Sequence, residues 1–268
     1  MSTETQVREL DSSDQIITDL HLEHPNIVSH GYRPEGFENI VAQDWDSKVV
    51  TSTQRVYHLG DINMKRLSVA HDWIKARPGW KGLTVGNHDT KPFTWYLSNG
   101  WNEVAERIYL TYPEPLSRHV LYNHLCPLRI LGDWDHIPND VIERPRILLS
   151  HIPQPDDGTF DLNIHGHFHC EGHRANKLAM VKIRNAKQRL LALELVGYKL
   201  VNLMDFIVGK VQQDRTLYEY EATGVTCNQC KTSELLWWTG GDQAVYCRTC
   251  DPELVFEKSF QNPLTFGM

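Results

Sequence analysis

At 268 residues and 41% hydrophobic content, the chain can fill one substantial α/β core and carry a small appendage. Its net charge of −7 and pI near 6.0 exclude a protein that coats nucleic acid through a general basic surface, so any nucleic-acid contact is local or metal-mediated. The opening MSTETQVRELDSSD has neither the basic nor the apolar region of a signal peptide, and no bilayer-length apolar run follows; a cytoplasmic protein without membrane contact is expected.

Taken in chain order, short apolar runs at 15–18, 55–59, 82–85 and 146–149 end abruptly in polar residues. Each reads as a buried strand that delivers a ligand-type side chain at its C-terminal end: Asp19, Asp61 after Gly60, Asn87 after Gly86, and His151 after Ser150. Between the second and third runs, Leu67, Ala70, His71 and Ile74 recur at helical spacing, and Arg77-Pro78-Gly79 stops the helix. Further helices are expected at 40–49 and at Phe93–Leu97, closing strands at 190–196 and 198–203 separated by Gly197, and a helical start near Asp205. The first domain then spans 1–212 and a C-terminal module 213–268.

The polar strand ends share one chemistry. Asp19 and His21 stand two apart, so in extended backbone they would point to one side and could hold one ion together; His167 and His169, also two apart, would share one face of an extended segment. Gly60-Asp61 offers a carboxylate able to bridge two cations. Gly86-Asn87-His88-Asp89 presents an amide oxygen, an imidazole and a carboxylate in succession, which an ordinary turn does not require. His124, in Tyr-Asn-His-Leu-Cys-Pro, competes with His151 for the fourth position, and the cleaner apolar run before His151 favours the latter. His165 reads as a packing or supporting residue, and His24 either as a residue near the phosphate pocket or as a solvated loop histidine.

The ordered set Asp19-Leu-His21, Gly60-Asp61, Gly86-Asn87-His88-Asp89, His151 and Gly166-His167-Phe168-His169 resembles the calcineurin-like metallophosphoesterase superfamily, in its small bacterial and phage branch, over roughly residues 15–208. That resemblance implies a four-layer α/β sandwich, two mixed β-sheets flanked by helices. It also implies a binuclear site in which Asp19, His21 and His169 hold one metal, Asn87, His151 and His167 the other, and Asp61 bridges them. His88 would be a non-ligand catalytic histidine that protonates the leaving oxygen or stabilises the transition state, with Asp89 orienting its ring. Two cations roughly 3.5–4 Å apart bind phosphate oxygens and lower the pKa of a bridging water to give the attacking hydroxide. Mixed N/O ligands suit Mn²⁺, Fe, Zn²⁺ or Ni²⁺ better than Mg²⁺. Ile62-Asn63-Met64-Lys65 after Gly60-Asp61 departs from the Ser/Thr phosphoprotein phosphatases.

In the tail, Cys227-x-x-Cys230 and Cys247-x-x-Cys250 have the spacing of a four-thiolate structural zinc. Strands at 235–239 and 244–246, turning at Gly240-Gly241, suggest a zinc ribbon. Cys126 and Cys170 read as ordinary reduced thiols. Trp237 and Trp238 leave open ribbon packing, a contact with the catalytic domain, another subunit or a protein partner, and nucleic-acid stacking, the last disfavoured by the few basic residues nearby.

The reading that follows is hydrolysis of a phosphomonoester or phosphodiester, nucleotide-like, by a binuclear-metal enzyme with a structural zinc. The alternatives are a small metal-dependent nuclease and a scaffold of this fold that acts through its ribbon. Full retention of the ligand set argues against the scaffold, because buried carboxylates and imidazoles without metals are costly.

Overall fold

The computed structural model describes residues 7–24, 26–30, 33–64, 67–122, 140–167, 169 and 187–211, with the strand backbones at 236–238 and 245–247. Two five-stranded mixed sheets form its centre. In chain order the strands are β1 (Arg8–Glu9), β2 (Gln15–Ile17), β3 (Arg55–His58), β4 (Trp80–Thr84), β5 (Glu103–Ala105), β6 (Arg107–Thr111), β7 (Leu116–Ser117), β8 (Val141–Ile142), β9 (Arg146–Ser150), β10 (Leu162–His165), β11 (Gln188–Leu190), β12 (Val201–Asn202), β13 (Leu236–Trp238) and β14 (Val245–Cys247). Helices are α1 (Ile27–His30), α2 (Phe37–Lys48), α3 (Leu67–Lys75), α4 (Phe93–Leu97), α5 (Arg118–Leu121) and α6 (Leu203–Ile207).

One sheet has the order β12-β2-β3-β4-β5, with β2 to β5 parallel and β12 antiparallel at its edge. The other runs β1-β6-β9-β10-β11, where only the β6–β9 pairing is antiparallel. Strand alternation explains how they pack. Ile16 and Tyr57, paired across β2 and β3, join Ile108 and Leu110 of β6, Ile147 and Leu149 of β9 and Ile164 of β10 in one buried cluster between the sheets. Their neighbours Ile17, Val56 and Leu83 point the other way, onto a second cluster with Val41, Trp45, Ala70, Ile74 and Tyr96 from α2, α3 and α4. Three layers are therefore in place: helices, sheet, sheet.

The helix facing the first sheet follows its own spacing. Phe37, Val41 and Trp45 repeat every four residues and are buried, and Trp45 donates from Nε1 to the carbonyl of Pro78 at 3.0 Å. Deleting a fully buried Trp of this kind costs about 3–5 kcal/mol.

The strand runs expected at 15–18, 55–59, 82–85 and 146–149 coincide with β2, β3, β4 and β9, and α4 has the expected bounds. The run at 190–196 is a correction. Only Leu190 belongs to a strand; Glu194–Val196 is a single 3-10 turn ending at Gly197 in left-handed backbone. Tyr198 also has positive φ, so the chain turns before β12 and cannot continue as a long strand. The helical start expected near Asp205 is α6, capped by Asn202, whose side chain accepts from Asp205 N–H.

In the tail, β13 and β14 pair antiparallel, Leu236 opposite Cys247 and Trp238 opposite Val245. Cys227, Cys230 and Cys250, Gly240 and Gly241, and likewise His124, Cys126 and Cys170, lie outside the described residues. Among the described residues, no helix is long and apolar enough to cross a membrane.

Candidate metal centre

The chain leaves β2, β3, β4, β9 and β10 at one crevice. Asp19 and His21 follow β2, Asp61 follows β3, Asn87 and His88 follow β4, His151 follows β9, and His167 and His169 follow β10. Parallel strands send their C-terminal ends to one edge, which is where α/β sheets place ligands. Backbone hydrogen bonds then join the loops: Asp19 N–H donates to Gly60 O and His21 N–H to Asp61 O, both at 3.0 Å, and Gly166 N–H to His151 O at 3.1 Å. The His167 N–H donates to both carboxylate oxygens of Asp19, at 3.0 and 3.2 Å.

The expected extended pairing of Asp19 with His21, and of His167 with His169, is corrected. All four residues lie beyond their strands with positive φ, at 49°, 47°, 73° and 33°, and Asp61 joins them at 56°. Left-handed backbone at a residue with a Cβ costs on the order of 1–3 kcal/mol and persists only where the surroundings over-determine it. Here it curls each loop so that side chains converge, where an extended chain would carry the second member of each pair onward. Close approach also explains two glycines. A Cβ at Gly86 would overlap the Asp61 carboxylate, and one at Gly166 would overlap Thr18 and the Asp19 carboxylate.

Two donor groups result, with Asp61 between them. Asp19, His21 and His169 bring one ligand atom each within 4.8 Å of one another; Asp61, His151 and His167 do the same. In the first group, His21 Nε2 lies 3.1 Å from His169 Nε2 and 3.6 Å from Asp61 Oδ2. In the second, His151 Nε2 is 3.0 Å from both His167 Nδ1 and Asn87 Oδ1 and 3.3 Å from Asp61 Oδ2. His88 completes a third grouping with His21 and Asp61, its Nε2 4.0 Å from Asp61 Oδ2 and its ring centroid 5.4 Å from that of His21. All seven expected ligands are thus brought together.

The donor set fits cations. Ring nitrogens that face each other at hydrogen-bond distance, twice over, beside carboxylates need a shared proton or a shared cation to quench converging lone pairs. Tautomers agree with this. His151 donates from Nδ1 to the carbonyl of Leu59 at 2.7 Å, which leaves Nε2 as the nitrogen that faces the group. Four imidazoles with carboxylate and amide oxygens form the mixed donor set that divalent transition metals accept.

Electrostatics show how strongly these groups couple. Burial pushes the His151 imidazole down, but the Asp61 and Asp19 carboxylates overcome it and raise it to about 9. Burial likewise opposes protonation of His169, and the Glu194 and Asp19 carboxylates raise it to about 9. His21, buried beside the His169 imidazole, is held well below the ordinary histidine value. Burial would raise Asp61, but its hydrogen bond and charge contact with His151 hold it well below the usual carboxylate range.

Asp89 requires a correction. The expected contact orienting the His88 ring is not among the described hydrogen bonds. Instead the Asp89 carboxylate accepts from the N–H groups of Asp61 at 2.8 Å, Ile62 at 3.2 Å and Gly86 at 2.8 Å, stitching the Gly60-Asp61 and Gly86-Asn87 turns together. Its burial pushes its pKa up to about 6.

His24 lies at the rim, its ring centroid 6.0 Å from that of His21, with Nδ1 accepting from Asn26 N–H at 3.1 Å. His165 is fully buried, its Nδ1 3.0 Å from the carbonyl of Gly166, consistent with a packing role. Two site residues escape motif reasoning altogether. Glu194 and Arg33, both buried, reach His169 and the backbone of Asp19 from behind. A carboxylate inside the apolar run Leu190-Leu-Ala-Leu-Glu194-Leu-Val196 is the one sequence signal that could have found the first, since such a group needs a buried partner.

No family model and no curated protein matches the sequence. Among solved structures, a protein of unknown function from Aquifex aeolicus is similar at 23% identity and a TM-score of 0.48, over 72% of this chain and 96% of that chain.

Proposed function

We propose that the chain is a binuclear metal-dependent phosphoesterase of the calcineurin-like type, acting on a phosphomonoester or phosphodiester. The observation that carries this reading is Asp61, whose carboxylate stands between two His-containing donor groups. Asp19, His21 and His169 would hold one divalent ion, and Asn87, His151 and His167 the other, with Asp61 common to both. When bound, such a pair supplies positive charge for phosphate oxygens and activates a water molecule as nucleophile.

The chain's own residues supply the rest. His88, whose side chain is about one-third exposed at 34%, stands on the open side of the donor groups and gives a proton to the leaving oxygen. His88 N–H holds Asp61 Oδ1 at 2.9 Å, so the residue that handles the proton also fixes the shared carboxylate. His24 at the rim binds the phosphate or its ester group. On this reading the helices and two sheets are three layers of the four-layer sandwich, and the β13–β14 hairpin, with Cys247 in β14, belongs to a zinc ribbon held by Cys227, Cys230, Cys247 and Cys250.

The experiment is a hydrolysis screen of nitrophenyl phosphate, bis-nitrophenyl phosphate, cyclic nucleotides and single-stranded DNA with the full chain and added Mn²⁺. Turnover of at least one, abolished by chelator and restored by Mn²⁺, is expected. Protein that binds two Mn²⁺ equivalents and hydrolyses none of these would overturn the reading.

A further inference from the structure

Behind His169 lies a buried ion pair between residues remote in sequence. Glu194, in the 3-10 turn after β11, accepts from Arg33 Nε at 2.9 Å and Nη2 at 2.7 Å. The same oxygen, Oε1, lies 3.1 Å from His169 Nδ1. Arg33 spends its other donors on backbone: Nη1 to the carbonyl of Leu20 at 2.8 Å and Nη2 to that of Asp19 at 2.7 Å. Its guanidinium carbon sits 4.9 Å over the Phe37 ring, which anchors it to α2.

We infer that Glu194 and Arg33 are positioning residues for the first ion. Glu194 takes the Nδ1 proton of His169 as a hydrogen bond and turns its Nε2 lone pair toward Asp19 and His21, while Arg33 fixes Glu194 and holds the loop that carries Asp19. This inference rests on the binuclear reading above.

Arg33 Nη2 also comes within 3.3 Å of His169 Nδ1, and that nitrogen cannot both accept from Arg33 and donate to Glu194. The donation to Glu194 wins: it is the shorter contact, its acceptor is a carboxylate, and Nη2 already has two closer acceptors. With Nδ1 committed to Glu194, Nε2 is the nitrogen left to serve an ion, and it is Nε2 that lies 3.1 Å from His21 Nε2 and 3.6 Å from Asp19 Oδ1.

A purely stabilising ion pair is the competing account. Buried ion pairs are a weak source of net stability, because desolvation offsets most of the attraction. Nor would stability alone direct Nη1 and Nη2 of Arg33 to the carbonyls of Leu20 and Asp19, the residue that begins the site and the one after it. Carboxylate–imidazole contacts behind a metal ligand fix its tautomer and ring angle, and their loss weakens binding by roughly 10–100-fold.

The test is stepwise Mn²⁺ titration of the metal-free full chain by calorimetry, for wild type, E194Q, E194D, H169A and the E194Q/H169A double variant, with a thermal midpoint recorded for each. Expected are two equivalents in wild type and, in E194Q, one of the two weakened roughly 10–100-fold with the other unchanged. E194D should recover part of the loss, and E194Q should add nothing in the H169A background, because the two act through one ring. Should E194Q fail to fold, R33M/E194M replaces the pair with apolar volume and no unpaired charge, and the same weakening at one equivalent is expected of it. A lower thermal midpoint with both Mn²⁺ affinities intact, or equal weakening of both, would overturn the inference alone. Wild type that binds no Mn²⁺ would overturn the binuclear reading and this inference with it.

Discussion

The two halves of the site are supported differently. Behind Asp19, His21 and His169 stands a charged pair, Arg33 and Glu194, drawn from distant parts of the chain. Among the described residues, the contacts behind His151 and the Gly60 turn are neutral: the carbonyl of Leu59 on His151, and His58, whose Nδ1 accepts from Gly60 N–H at 3.1 Å. Farther out, His71 of α3 accepts from Trp101 Nε1 at 3.4 Å, and Trp101 stacks edge-on against His58. The Asp89 carboxylate on that side binds backbone amides rather than a side-chain cation. A charged support is directional but fails badly when one partner is removed. Neutral imidazoles are less exacting, and they hold only while they stay unprotonated.

His88 tests the seam between the halves, and the largest effect is expected there. It comes from the turn of the second half, yet its ring lies against His21 of the first. His88→Ala should retain both metals and lose on the order of 10²–10⁴-fold in turnover, the usual effect of removing an acid–base group. Metal analysis beside kinetics decides it: an empty position in His88→Ala would make His88 a ligand instead.

Stability should separate the halves next. Arg33→Met leaves Glu194 buried without its cation and should cost about 3–5 kcal/mol. Asp89→Asn keeps an acceptor for part of its amide set and should cost about 1–3 kcal/mol. Urea unfolding of metal-free protein measures both, and an Arg33→Met cost no larger than that of Asp89→Asn would erase the contrast.

The smallest effect is one of pH. Burial holds His71 at about 4 and His58 at about 3, against an ordinary 6.5. A histidine depressed in the folded state binds its proton only in the unfolded state, so its contribution is fully present above pH 6.5 and is lost as pH falls toward the folded value. Between pH 7 and 5, His71 alone should remove on the order of 2 kcal/mol of stability. His71→Phe should flatten that part of the pH dependence, whatever it does to stability at pH 7. An unchanged slope would show that His71 is not the acid-sensitive support.

The division also explains what could be read in advance. Strand ends at Asp19, Asp61, Asn87 and His151 were legible because each follows a short apolar run, and burial of a strand on both faces writes such a run directly. The direction of the side chains was not. Alternation along an extended chain puts Asp19 and His21 on one side, whereas both sit in left-handed turns held by Gly60 and Asp61 carbonyls across the crevice. Arg33 and Glu194 were hidden for a related reason. Their pairing spans 161 positions, and no local period records a contact between a loop before α2 and a turn after β11. Asp89 was recognised as part of the site but given the wrong partner, because adjacency to His88 says nothing about which amides its carboxylate faces.

Asp61 is proposed to join the two halves into one binuclear site. Crystals of the full chain grown with Mn²⁺, measured at the manganese absorption edge, address it directly. Two anomalous peaks are predicted roughly 3.5–4 Å apart, the Asp61 carboxylate touching both, His169 on the Asp19 side and His167 on the Asn87 side, and Asp61→Ala crystals should lose them. A single peak under full metal supply, or two peaks that do not share Asp61, would contradict the account.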